Sequence, residues 1–303
     1  MIKIITDSSC DLKNIRLVYD RNGERVRYAR APLTIRVGEQ EFVDDDKLDV
    51  AQMMETMQAY SGSTASSCPS PAAWCDAFED ADEIYVITIT SALSGSYNSA
   101  ITAKEIMMET HPEKKIFILD SLSTGPEMTL LVQRLLHLIS QGGTFRENVE
   151  EIKAYHKSTR LAFVLHCTDN LVKNGRVSRL AGFAVNVLGI TIIGRASVQG
   201  ELEMVAKHRT SRKVEDTIIA EMQLQGYDGG AVTITHCLNE KAAMHLRDHI
   251  RQVYPQASVT IMPTGGLCSY YAENQGLLIG YEAVAREYAT SGEQSATGQP
   301  QEA

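Results

Sequence analysis

The chain has 303 residues, 44% hydrophobic and 22% charged, which excludes a disordered protein and exceeds one average domain, so two units of roughly 150 residues are expected. With 29 Lys+Arg against 38 Asp+Glu the formal net charge is -9, which argues against a protein that grips a nucleic-acid backbone. Six cysteines lie far apart with no CxxC pair, which fits reduced thiols in a cytoplasm; the opening Met1 to Ser9 lacks the apolar core and cleavage site expected of a signal peptide, and no run approaches the ~20 apolar residues of a membrane span.

The short apolar run Ile2 to Ile5 ends in Thr6-Asp7-Ser8-Ser9 and reads as a buried strand feeding a polar loop. Pro32 to Val37 followed by Gly38 predicts a further strand and turn. The hydroxyl cluster Ser61 to Pro71 supplies capping groups and free backbone N–H groups to a helix over 72–78. Ile84 to Ile89 runs into Thr90-Ser91-Ala92-Leu93-Ser94-Gly95-Ser96 and then into a helix over 97–109. Ile116 to Leu119 runs into Asp120-Ser121-Leu122-Ser123-Thr124-Gly125-Pro126, where Pro126 is placed to open a helix ending near Gly142-Gly143. Strand, hydroxyl-rich loop and helix, repeated, predict a parallel α/β sheet. Loops beyond the strand carboxyl ends share one edge, where ligands bind, so these clusters should converge.

Past Gly142-Gly143 the pattern gives a helix over 145–156 and a strand over 160–165, with a domain boundary near Lys157. The expected units are therefore 1–156 and 157–289, both α/β, followed by a disordered tail over 290–303. Within the second unit, helices are predicted over 177–188, 214–223 and 240–253, and strands over 190–193, 202–205, 229–235 and 257–262.

The segment Ile89 to Tyr97 aims hydroxyls and N–H groups at one point, a setting suited to an anion. Two other readings stand beside it. Ser96 simply caps the helix, or Ala92 to Ser96 echoes the GxSxG nucleophile elbow, with Ser94 as nucleophile and both flanking glycines replaced. His245 and His249 sit four apart on a helix, Asp44-Asp45-Asp46 offers oxygen ligands, and His166 adjoins Cys167 and Asp169; against each stands plain solvation or sequence adjacency without contact. Neither a P-loop nor a dinucleotide fingerprint is present, so no nucleotide cofactor is expected.

Thr6-Asp7-Ser8-Ser9-Cys10-Asp11-Leu12 resembles the opening motif of the DegV family of bacterial fatty-acid-binding proteins. Pro32-Leu33-Thr34-Ile35 is similar to the family's PLTI strand, Ser66 to Pro71 to its TSxPSP loop, and Ile89 to Ala100 to its ISSxLSGTYxSA segment. Leu119-Asp120-Ser121 resembles the DS turn, Leu171 to Ser178 the LxxGGRIS segment, and Lys207-His208-Arg209-Thr210 a KxRT element. The order is right, and the resemblance runs from about Met1 to Tyr288.

The resemblance implies two α/β domains, the first with a mainly parallel sheet, and one long-chain fatty acid between them. Its tail would lie in an apolar tunnel and its carboxylate at the loop cluster. It implies a binding subunit without cofactor or metal, which presents the acid to a separate ATP-dependent fatty acid kinase catalytic subunit. By position the carboxylate contacts would be Ser66, Ser94, Gly95 and Arg176, and Arg209 would lie near the kinase surface. Tyr270 takes the place of the histidine with which the family's GTHxGPG motif reaches the head group, so the resemblance implies a ligand contact at Tyr270 as well, and Gly194-Arg195-Ala196-Ser197 replaces the family's KPIL. Burying about a dozen methylenes at ~0.8 kcal/mol each is worth on the order of 10 kcal/mol before ordering costs. The carboxylate tolerates a closed site only when hydrogen-bonded, which hydroxyl donors and a nearby Arg supply. The alternatives carried forward are a serine hydrolase acting on an acyl ester through Ser94 and a binder of phosphorylated metabolites.

Overall fold

The computed structural model describes residues 1–177, 190–209 and 213–284. The helix expected over 177–188 (beyond Val177), the motif residues Ser178 and Thr210, and the tail expected over 290–303 lie outside the described residues. The first half runs β1 (Ile2–Asp7), β2 (Arg27–Ala31), β3 (Thr34–Val37), β4 (Gln40–Val43), α1 (Val50–Ala59), β5 (Thr64–Ser67), α2 (Pro71–Phe78), β6 (Glu83–Thr88), α3 (Ser96–Thr110), β7 (Lys115–Asp120), α4 (Pro126–Ser140) and α5 (Phe145–His156). The second runs β8 (Thr159–Leu165), α6 (Asp169–Lys173), β9 (Thr191–Ala196), β10 (Leu202–His208), α7 (Val214–Leu224), β11 (Ala231–His236), α8 (Glu240–Val253), β12 (Ser258–Pro263), α9 (Gly266–Ala272) and β13 (Leu277–Glu282).

Four strands form a parallel sheet in the order β2-β1-β6-β7. β1 and β6 are buried at every position, which explains why they read as continuous apolar runs rather than as alternating strands. Trp74 and Phe78 of α2 pack with Ala100 and Ala103 of α3 on one face. The opposite face carries α4 and α5 through Met128, Leu131, Leu135 and Ile152. Helix α5 opens on a capping box between Thr144 and Glu147, and Pro126 opens α4 as its position predicts.

A six-stranded sheet, β10-β9-β8-β13-β11-β12, takes every described strand from Thr159 onward and is antiparallel except for β11 against β12. One face packs on α7 and α8 through Ala162, Val164, Ile218, Met222, Leu246 and Ile250. The other face receives a part of the first half of the chain. The antiparallel sheet β4-β3-β5 and α1 place Ile35, Phe42, Met53 and Met57 against Leu161, Phe163 and Leu165. Gly280 permits a second junction: a Cβ there would lie 2.5 Å from the Glu127 amide nitrogen, so the first turn of α4 rests directly on β13.

Beyond the elements expected from the sequence, the structure adds β2, β4, α1, β5, α6, α9 and β13. Strand β5 falls inside the hydroxyl cluster and becomes a strand because Ser66 pairs with Ile35 and Ser67 with Thr34, a tertiary pairing that overrides local preference.

Candidate functional site

Three loops beyond the carboxyl ends of β1, β6 and β7 converge, and Asp7 joins the first two. Its fully buried carboxylate accepts from Ser9 Oγ (2.5 Å), Ser96 Oγ (2.5 Å), the Ile89 N–H (2.9 Å) and the Ser9 N–H (3.2 Å). Burial raises its pKa despite these donors. The Thr90 N–H donates to the Ser123 carbonyl at 2.8 Å, and the Gly125 N–H to the Ser9 carbonyl at 2.9 Å. Ser8 Oγ accepts the Leu33 N–H at 2.9 Å, which fixes the start of the β3 segment. Most hydroxyls of these clusters are therefore spent on backbone and carboxylate partners. Ser96 does not cap α3: its N-cap is Gly95, with no side-chain cap bond. Ser70 does cap α2, accepting the Ala73 N–H at 3.2 Å.

Two further carboxylates hold the first turn of α9. Asp11 Oδ1 accepts the Gly265 N–H at 2.7 Å, and Asp44 accepts the Gly266 and Leu267 N–H groups, each at 2.8 Å. These are the otherwise unpaired donors of a helix start. Burial pushes the Asp11 carboxyl up to about 6 and also raises Asp44. The hold matters because α9 carries Leu267, Cys268 and Tyr271 into the wall of a cavity.

That cavity, about 280 Å³, lies between the loop edge of the parallel sheet and the six-stranded sheet. Leu161, Phe163 and Leu165 alternate along β8 and point into it, while Ala162 and Val164 between them face α7 and α8. Leu33, Ile89, Leu171, Leu202 and Leu278 add further apolar wall. Its polar groups are neighbours of one another. Ser66 Oγ and Tyr271 OH are 2.8 Å apart, and a Cβ on Gly95 would lie 3.3 Å from Cys68 Sγ. Leu93, Ser94, Gly95 and Arg176 line both the cavity and an outer depression of about 350 Å³ shared with Ser91 and Asn98. Ser94 Oγ accepts the Ser96 N–H at 3.2 Å.

Arg176 owes its position to the end of α6. Gly175 is left-handed (φ +68°), its N–H bonds to the Val172 carbonyl at 3.0 Å, and the Arg176 N–H to the Leu171 carbonyl at 2.9 Å, a Schellman closure. The guanidinium then donates to the Leu93 carbonyl through Nε at 3.3 Å and to the Asn174 carbonyl. A buried network braces this turn from behind: Tyr270 OH donates to Thr64 Oγ1 at 2.8 Å and accepts from Asn174 Nδ2 at 2.8 Å.

Of the residues that the sequence singled out, Ser66, Ser94, Gly95 and Arg176 come together in the cavity wall. Tyr270 stands apart from it. Its side chain is fully buried behind the wall, and its neighbour Tyr271 faces the cavity instead. Successive residues of a helix point about 100° apart, so a one-residue difference separates brace from wall. Motif position alone could not have chosen between two adjacent tyrosines. Arg209 is exposed just beyond β10.

The remaining candidates find ordinary partners. Asp44 serves α9, Asp45 accepts the Lys47 N–H at 2.8 Å, and Asp46 pairs with Arg30 at 2.7 Å. His249 lies 3.3 Å from Glu215, and no cluster of three metal-ligating side chains occurs among the described residues. His166 Nδ1 meets Thr191 Oγ1 at 3.1 Å, while burial and Glu273 push the Cys167 thiol up to about 12, so this histidine and cysteine do not act as a pair. No helix among the described residues is long and apolar enough to cross a membrane.

Comparison with known proteins matches residues 1–283 to the family model described as "Uncharacterised protein, DegV family". A DegV domain-containing protein of Streptococcus pneumoniae is 48% identical over 280 residues, covering 92% of this chain and 98% of its own. Among solved structures, the Streptococcus pneumoniae Fatty Acid Kinase (Fak) B3 protein loaded with linoleic acid superposes with a TM-score of 0.89 at 48% identity, covering 93% of this chain and all of its own. A DegV family protein from Eubacterium eligens loaded with heptadecanoic acid gives 0.87 at 40% identity, with 93% and 100% coverage.

Proposed function

The chain belongs to the DegV family, and we propose from that premise that it binds one long-chain fatty acid in the cavity and presents it to a separate fatty acid kinase. The observation that carries this reading is a cavity with leucine and phenylalanine walls whose polar lining gathers around Ser66, Ser94, Gly95, Tyr271 and Arg176. The acyl tail lies against Leu161, Phe163 and Leu165, and the carboxylate accepts from the Ser94 and Tyr271 hydroxyls beside the Arg176 guanidinium. Charge-assisted hydrogen bonds of this kind offset the desolvation of a carboxylate in a closed site. Tyr270 acts as a positioning residue, holding the Asn174-Gly175-Arg176 turn.

The outer depression shared by Ser94 and Arg176 keeps the head group within reach of a second protein, while the tail stays covered. Arg209 is a further contact for the kinase. An ATP-dependent partner and six cysteines without disulfides agree with a cytoplasmic setting. A nucleophilic Ser94 would need a general base, and the cavity wall holds no histidine among the described residues. The carrier reading is therefore preferred to a hydrolase.

Denaturing organic extraction with mass spectrometry, run beside a native mass spectrum, tests the proposal. One fatty acid per chain is expected, with less retained by Arg176→Ala and Ser94→Ala. A protein that is empty and also fails to take up linoleic acid would overturn it.

A further inference from the structure

In a chain of formal charge -9, residues 13–30 carry six Lys/Arg against two acids. This basic segment leads into β2, which is an edge strand among the described residues: β1 pairs with it on one side and no described strand pairs with it on the other. Beside β2 runs an open groove of about 980 Å³. Every residue from Glu24 to Arg30 lines it, without the alternation that a groove on one face of a strand would show. Its wall is therefore the backbone edge itself, with Lys3 and Ile15 reached on either side. Of the acids in the lining, Glu24 and Asp82 pair with the N-terminal ammonium, Asp46 with Arg30, and Asp45 accepts the Lys47 N–H, whereas Lys13 and Arg25 make no ion pair among the described residues. The Arg30 side chain is only 5% exposed and bonds to Asp46, with its Nη1 left without a partner.

The same strand leads to the cavity. Arg30 lines the groove and Leu33 lines the cavity wall, three residues and roughly 10 Å of extended chain apart. We infer that the β2 edge is the docking site for an extended acidic segment of the kinase subunit, which adds to the sheet as a fifth strand. Main-chain hydrogen bonds to 27–30 supply the pairing, and Lys13 and Arg25 select acidic side chains. This inference rests on the kinase-presentation reading above. It adds where the partner holds on, apart from the head-group opening it acts through.

The test measures binding and turnover by the purified kinase subunit with the full-length, fatty-acid-loaded chain, together with amide exchange over residues 27–31. Wild-type protein is expected to show slowed exchange there when the kinase is added. Lys13→Glu with Arg25→Glu is expected to weaken kinase affinity at least tenfold while fatty-acid retention is unchanged; each single reversal serves as a milder variant. Unaltered kinase affinity in the double reversal, with no added protection over 27–31, overturns the docking site while leaving the carrier function standing. Absence of kinase turnover even with loaded wild-type chain overturns the presentation reading itself. Binding to vesicles of anionic phospholipid that the double reversal abolishes, with kinase affinity unchanged, assigns the basic segment to a lipid surface and likewise overturns the inference.

Discussion

The segments at the carboxyl ends of β1 and β6 are both rich in hydroxyls and have opposite fates. Asp7, Ser8 and Ser9 are fully buried, and each bonds to another part of the fold: Asp7 to Ile89, Ser8 to Leu33 and Ser9 to Gly125. Ser94 and Gly95, in the other loop, stay partly open and reach the cavity. What separates them is a satisfied carboxylate: Asp7 takes the Ser9 hydroxyl of its own segment and the Ser96 hydroxyl of the other, and Ser94 is left over. A hydroxyl-rich loop is thus a site only where its donors exceed what the backbone and neighbouring carboxylates consume.

Substitutions can break this contrast. The largest effect is expected for Asp7→Ala, which strands four buried donors at once and should cost about 3 kcal/mol or more in a denaturant titration. A loss below about 1 kcal/mol would mean that the loops hold together without it.

The next effect is a pH dependence from Asp11, whose carboxyl sits at about 6 instead of 3.8. The folded chain binds the extra proton between these values, so Asp11 makes stability fall as pH rises from about 4 to 6, by up to about 3 kcal/mol. Asp11→Asn should flatten that part of the profile. An unchanged slope in the variant would contradict the assignment.

Smaller changes separate the adjacent tyrosines. Tyr270→Phe removes two buried hydrogen bonds and should cost about 1–2 kcal/mol of stability, more than Tyr271→Phe. Fatty-acid retention should fall in the opposite order, because only Tyr271 lines the cavity. The smallest change in stability, within about 0.5 kcal/mol, is expected for Ser94→Ala, with a clear loss of bound fatty acid. A stability loss in Ser94→Ala equal to that of Asp7→Ala would erase the distinction between the two loops.

How far the sequence was legible follows the same line. Strands β1, β6 and β7 and the helices after β6 and β7 were readable, because a parallel sheet covered on both faces leaves unbroken apolar runs next to turn and capping signals. Strand β5 was not, since Thr64 to Ser67 becomes a strand only through its pairing with β3. The short helix α9 escaped for a similar reason. Its first N–H groups are capped by Asp11 and Asp44, more than two hundred residues away, and no local N-cap marks it. At the site, Ser66, Ser94, Gly95 and Arg176 were reachable through motif positions. The choice of Tyr271 over Tyr270 depended on the rotation of α9, which only packing sets.

The most direct test of the central claim follows linoleic acid, carbon-13 labelled at the carboxyl, bound to the protein and titrated by NMR. A single bound carboxyl resonance is expected, one that stays ionised to lower pH than free acid and shifts in Ser94→Ala, Arg176→Ala and Tyr271→Phe. A bound resonance that titrates as the free acid does, and is indifferent to all three substitutions, would contradict it.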